Sequence, residues 1–170
     1  MYSVNVPVPL EIRELASQLR PALSGFDRIR PARTRTLVLK RLPATDRREY
    51  LHVARRAREA LEGTPPFEAA VTGIETFWDP PKGPSPVAYL AVEGEGLSRI
   101  HDRLVAEFEA VETLEGPNYV PHVTLARGGP QSAPDPVQDR EIEPVRFRVD
   151  TLELYDSVHT ERVESISLPA

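Results

Sequence analysis

Apolar and polar residues alternate over Met1 to Val8, with Tyr2, Val4, Val6 and Val8 on one side, and this period of two predicts a first strand. Pro9 suits the first turn of a helix, in which Ile12, Leu15, Ala16 and Leu19 recur at helical spacing until Pro21 breaks it. Arginines at 28, 30, 33 and 35 lead into a predicted strand from Thr34 to Leu42. Asp46 and Glu49 resemble a capping box opening a second helix, whose buried face is Tyr50, Val53, Ala54, Ala57 and Leu61. Gly63-Thr64-Pro65-Pro66 stops it. Phe67 to Trp78 reads as strand, Asp79 to Pro84 as a turn or short loop, and Val87 to Val92 as a well-covered strand.

A third amphipathic helix carries Leu97, Ile100, Leu104, Val105, Phe108 and Val111, and Glu115-Gly116-Pro117 ends it. A short strand follows at His122-Val123-Thr124-Leu125. Gly128 to Pro144 is a proline-rich connection with a helical turn expected near Val137 to Glu141. Val145 to Tyr155 and Arg162 to Leu168 close the chain as a hairpin. The order is β-α-β-α-β followed by β-α-β-loop-β-β. Each half holds a strand, a helix and then a strand of the pattern polar-x-Thr-Leu: Thr34-Arg35-Thr36-Leu37 and His122-Val123-Thr124-Leu125. This degenerate repeat predicts an α+β fold of two pseudo-symmetric lobes of antiparallel sheet, helices on the outer faces, the two like strands facing one another across a central cleft.

Composition narrows the function classes. The 170 residues are 40% hydrophobic and 28% charged, enough for an ordinary core in a single bilobal domain spanning 1–170. No apolar run approaches a membrane span and no signal peptide is visible. Without cysteine there is no disulfide or thiolate metal site, which fits a cytoplasmic setting. A net charge of −5 excludes a protein that grips long duplex nucleic acid by general basicity, but leaves room for a local phosphate site. Lys40 and Lys82 are the only lysines, so the positive charge is nearly all arginine.

Strand alternation sets the candidate chemistry. His122 and Thr124 share one face, Thr34 and Thr36 share another, and Lys40 falls on the Thr34 and Thr36 side. Arg127 falls opposite His122 by the same rule, and is either a substrate contact or a solvated strand-end residue. Tyr89 and Trp78 are either core aromatics or platforms for a base. His52 belongs to a solvated helix face, His101 to the edge of a core, and His159 to the last hairpin turn.

The His-x-Thr-Leu strand, its upstream echo, the opening strand from Tyr2 and the closing hairpin resemble the two-histidine (2H) phosphoesterase superfamily, which includes RNA 2′,3′-cyclic phosphodiesterases, also called 2′-5′ RNA ligases. The resemblance implies two imidazoles flanking a phosphate, one taking and one giving a proton, with His122, Thr124 and Thr36 as catalytic groups. It implies Thr34, Lys40, Arg127 and Tyr89 as substrate contacts, no metal and no cofactor. The partner implied is an RNA terminus or a small nucleotide, with no membrane or protein partner and a monomeric state. The sequence departs from the pattern at one point: Thr34 stands where the first histidine is expected, so the alternative is a degenerate domain that binds nucleotide or RNA ends without turnover.

Overall fold

A computed structural model describes residues 1–170. Its first strand, β1 (Tyr2–Val6), runs into α1 (Leu10–Leu19), then into a two-residue strand β2 (Arg28–Ile29) and the strand β3 (Leu37–Leu42). Next come α2 (Arg47–Leu61), β4 (Phe67–Phe77), β5 (Val87–Glu93), α3 (Glu95–Phe108) and β6 (His122–Arg127). A short helix α4 (Asp135–Gln138) and strands β7 (Val145–Val149), β8 (Thr151–Asp156) and β9 (Glu161–Ser167) complete the chain. The second helix is capped as expected: Asp46 accepts from the Glu49 amide at 2.8 Å, while Glu49 reaches back one residue further than a capping box, to the Thr45 amide.

All ladders are antiparallel and form two sheets, β3-β1-β8-β9 and β2-β6-β5-β4-β7. Leaving out β2, the sheets correspond strand for strand: motif strand, its strand–helix predecessor, then two more. The two-lobe expectation holds, with one amendment. The lobes are not the two halves of the chain, because β2 and β4 join the second sheet while β8 and β9 return to complete the first. The predicted strand from Val145 to Tyr155 is accordingly two strands, split at Asp150 and belonging to different sheets. One continuous apolar cluster of 38 buried residues joins both sheets and the helices over them.

The first motif strand is shorter than its sequence pattern. Residues 32–34 form a 3₁₀ turn and the ladder begins at Leu37, opposite Val6. Beyond Val6 the neighbouring chain reads Pro7-Val8-Pro9, whose prolines carry no amide hydrogen to extend the pairing. Further along, Val4 pairs with Lys40 while Asn5 pairs with Val38, so Leu39 is an extra residue bulged out of the ladder.

That bulge overturns the placement of Lys40. Past Leu39 the faces exchange, so Thr36, Val38 and Arg41 look into the cleft and Lys40 turns into the interior. Lys40 is 1% exposed and its ammonium lies 2.6 Å from Glu115, on the segment that delivers the chain to β6. The Glu115 carboxylate also accepts the amides of Arg41 and Val111, at 2.8 and 2.9 Å. Burial alone would raise its pKa, but these hydrogen bonds and the Lys40 charge hold it below the usual carboxylate range. His101 backs the same junction: Nδ1 donates to Leu39 O, Nε2 accepts from the Gly116 amide, and the ring stacks on Tyr119 at 3.8 Å.

Removing one member of a buried pair leaves the other charge uncompensated. Glu115→Ala is expected to cost about 3–5 kcal/mol in a denaturant titration. The double variant Lys40→Met, Glu115→Gln should recover much of that, since it leaves no lone charge and the amide oxygen still accepts a backbone N–H. Equal destabilisation by the single and double variants would show that the charge pairing is irrelevant.

Candidate functional site

Between the sheets lies a cavity of about 1150 Å³, and β3 and β6 approach each other along its floor. Both motif strands reach it, with Thr34, Thr36, His122 and Thr124 among its lining residues. Thr34 sits at the end of the 3₁₀ turn, its hydroxyl donating to Pro31 O at 3.1 Å. The half-buried Thr36 and Thr124 keep their hydroxyls on the cavity side.

The second motif strand is bulged as well. Ala88 pairs with Ala126 and Tyr89 with Thr124, which leaves Leu125 unpaired and exchanges the faces beyond it. Arg127 therefore swings into the cleft, against the plain alternation that put it opposite His122. Its side chain packs against Gly83, where an added Cβ would lie 2.1 Å from the guanidinium, and donates to Lys82 O at 3.2 Å. Its Nε is buried with no partner.

His122 is held on three sides. Nδ1 lies 2.7 Å from Val120 O, and a carbonyl only accepts, so Nδ1 carries the proton and Nε2 is left bare in the neutral ring. The imidazole meets the rings of Phe77 and Tyr89 edge-on, at 5.3 and 5.4 Å. Its pKa is lowered, first by burial and then by Arg41, Arg127 and Arg30, against the opposing pull of the Val120 carbonyl. At neutral pH it is a proton acceptor.

Tyr89 does not reach the cavity. Cross-strand pairing with Thr124 puts it on the right face, but it is 4% exposed, stacked on Phe77 at 4.0 Å and donating to Glu75 at 3.0 Å. Of this stacked pair, the ring that lines the cleft is Phe77. Trp78 is exposed outside the lining, His52 is a solvated helix residue, and His101 is buried in the interlock already described. His159 caps the β8–β9 hairpin, 2.6 Å from Asp156, which raises its pKa. Together with Glu161 these side chains bring ligand atoms within 4.8 Å of one another, at the exposed tip rather than in the lining of the cleft.

Residues that sequence reasoning missed complete the site. Arg28, Arg30, Arg41 and Lys82 join the expected Arg127 in lining the cavity, against a single carboxylate, Asp27. β2 is why Arg28 and Arg30 are there: Arg28 pairs with Arg127, and the Arg30 amide donates to Leu125 O at 2.8 Å. The cationic character is local, on a chain of net charge −5. Asn5 and Tyr155 also belong to the lining, and Asn5 Nδ2 and the Tyr155 hydroxyl are buried there with no partner.

Residues 36–161 match the family model of the 2′-5′ RNA ligase superfamily. The chain belongs to that superfamily. The match opens on Thr36 and spans His122 and Thr124, leaving Thr34 outside. No curated protein sequence matches the chain. Among solved structures the fold is similar to TT0787 of Thermus thermophilus, with a TM-score of 0.71 and 19% identity over 98% of this chain and 97% of that one. It is similar also to E. coli LigT complexed with 3′-AMP, at 0.70 and 15% identity over 99% and 98% of the two chains. The LigT complex with NADP+ gives 0.69 and 16% identity over 99% and 98%. At these identities the likeness establishes the fold, a 2′-5′ RNA ligase-like arrangement of two antiparallel sheets with helices.

The electrostatic account of His122 has a direct check. Arg41→Gln removes the first of the neighbouring cations, so the imidazole pKa should move up towards 6.5 in an NMR titration of its ring protons. An unchanged or lower value would mean that the arginines do not set its protonation.

Proposed function

We propose that the cleft takes the phosphate of an RNA terminus or small nucleotide carrying a 2′,3′-cyclic phosphate or a 2′-5′ phosphodiester, and that His122 is its general base. The observation that carries this reading is the state of His122: one nitrogen committed to Val120 O, the other bare, and protonation opposed by burial and three arginines. Nucleotide-sized ligands also suit the donors left unpartnered in the lining. The LigT structures described above hold 3′-AMP and NADP+, which favours the same ligand class here.

In this reading, Nε2 of His122 takes a proton from the attacking water as its oxygen bonds to phosphorus and the phosphorus–ribose oxygen bond breaks. Thr36 and Thr124 donate to the phosphate oxygens, and Arg30, Arg41 and Arg127 oppose the growing negative charge. Phe77 offers a ring face to the base, with Tyr89 buttressing it from behind. Thr34 takes the place of the first motif histidine. A hydroxyl can hold a phosphate oxygen but cannot deliver a proton near neutral pH, so the departing oxygen must be protonated by solvent. Loss of one such acid–base group typically lowers the rate by about two to four orders of magnitude. Thr34 is also the specific feature that favours the second reading, a domain that binds nucleotide ends without turning them over.

Wild type, His122→Ala and Thr34→His are to be compared on adenosine 2′,3′-cyclic phosphate and a 2′-5′ dinucleotide. Wild type should turn over slowly, His122→Ala should lose that activity, and Thr34→His should gain roughly 10²–10⁴-fold. The wild-type rate should climb with pH below about 6.5, as His122 sheds its proton, and then level off, because only a base is titrating. Thr34→His should turn this plateau into a bell. Turnover that survives His122→Ala unchanged refutes the assignment. Binding without turnover in wild type, with activity appearing in Thr34→His, selects the second reading.

A further inference from the structure

Beside the cleft, a second cavity of about 400 Å³ shares Tyr155 and Thr160 with it as a common wall. Its floor continues that of the cleft. Tyr155 pairs across the ladder with Ser3 on one side and Arg162 on the other, and Glu153 pairs with Asn5; cross-strand partners share a face. Arg13 enters from α1, while Arg33 and Arg35 come from the turn that carries Thr34. Four arginines thus surround this space, with Glu153 as the single carboxylate.

Arg35 is the residue that needs explaining. It is 7% exposed, yet its Nε and Nη1 are buried with no hydrogen-bond partner. Burial, followed by nearby Arg20, pulls its pKa below the usual guanidinium value. Glu153, whose charged neighbours are Arg162 and Arg13, is not among the groups that act on Arg35. The Tyr155 hydroxyl on the dividing wall is likewise buried and unpartnered. A buried guanidinium without a counter-charge is unfavourable, and its planar fork of donors is shaped for phosphate oxygens. An anion entering this cavity would meet Arg35 at Nη2, the one guanidinium nitrogen not sealed from it, and supply the missing counter-charge for the four arginines in one step.

We propose that this cavity is a second phosphate subsite, in which Arg35 seats a phosphate on the 5′ oxygen of the ribose whose 3′ phosphate lies in the cleft. The inference rests on the reading of the cleft as a nucleotide phosphate site. The chemistry is common to two sources, a 5′ monoester on a mononucleotide and the diester joining the next residue of an RNA end. Either makes the protein a reader of two phosphates in sequence, with Tyr155 and Thr160 between them.

The test uses product-like ligands that need no turnover: 3′-AMP, adenosine 3′,5′-bisphosphate and the diribonucleotide ApAp, measured by titration calorimetry at one ionic strength. At least one of the two longer ligands should bind about tenfold or more tightly than 3′-AMP. A gain for the bisphosphate points to the monoester, and a gain for ApAp alone points to an RNA end. Arg35→Met should abolish the gain and leave 3′-AMP affinity unchanged. Because Arg35 is buried, the double variant Arg33→Met, Arg162→Met, at exposed positions, provides a second measure and should reduce the gain several-fold. If 3′-AMP binds but neither longer ligand binds more tightly, or if the gain survives in both variants, the subsite is refuted while the cleft reading stands. Failure of 3′-AMP itself to bind would remove both.

Discussion

The buried carboxylate of Glu115 is the contact on which the arrangement of the cleft depends. It lies on the segment entering β6 and gathers the Lys40 ammonium and the Arg41 amide from β3, together with its own neighbour's amide at Val111. Around it, Tyr119 donates to Val38 O at 2.9 Å and His101 donates to Leu39 O at 2.7 Å. Backbone groups of Val38, Leu39 and Arg41 in one motif strand are therefore tied to α3 and to the approach of the other. A hydrophobic interface can slide by a fraction of an ångström at little cost, whereas a hydrogen-bonded ion pair in a low dielectric cannot. The relative position of Thr36 and His122 follows from polar contacts lying behind the cleft rather than inside it. That leaves the cleft wall free for its ligand.

The charge of the site follows from two bulges and one stray strand. A bulge at Leu39 sends Lys40 to Glu115 and Arg41 to the cleft, and a bulge at Leu125 brings in Arg127. β2 adds Arg28 and Arg30 by pairing with β6, although it precedes the whole second sheet in the chain. The result is a cationic groove on an acidic molecule. Long-range repulsion from the net charge is screened within about 8–10 Å at ordinary salt, while arginines inside the groove act at contact distance. Net charge thus describes how the surface meets other macromolecules, and says little about what the groove can hold.

This explains which parts of the molecule were legible in its residues. Periods of 3.6 and 2.0 are local properties, and they place α1, α2, α3, the β1–β3 pair and the β6 motif close to where they form. The repeat of polar-x-Thr-Leu also carries the two-lobe architecture and the presence of His122, Thr124, Thr36 and Thr34 in the lining of the cleft. What alternation cannot carry is a change of face at a bulge, since that is decided by the partner strand. Lys40 and Arg127 are the two positions where this matters, and they exchange roles relative to a straight strand. Tyr89 shows a different limit: its face is legible, but its depth beneath Phe77 is set by a third strand, β4.

The arginines that line the groove make it one-sided chemically. Arg41, Arg127 and Arg30 oppose a proton on His122, which suits a base and disfavours an acid. The tyrosines of the lining do not make up the difference: burial raises the pKa of both Tyr155 and Tyr119, so their hydroxyls hold their protons more firmly than usual. Thr34 adds a hydrogen bond and no titration in the neutral range. A phosphate bound there would change this balance, because its negative charge would offset the arginines at the point where His122 faces them, and the imidazole would become easier to protonate. Occupancy of the cleft and the proton affinity of His122 are thermodynamically linked, each favouring the other. On the proposed reading, that linkage would let the single imidazole hold the proton it has accepted while solvent protonates the departing oxygen.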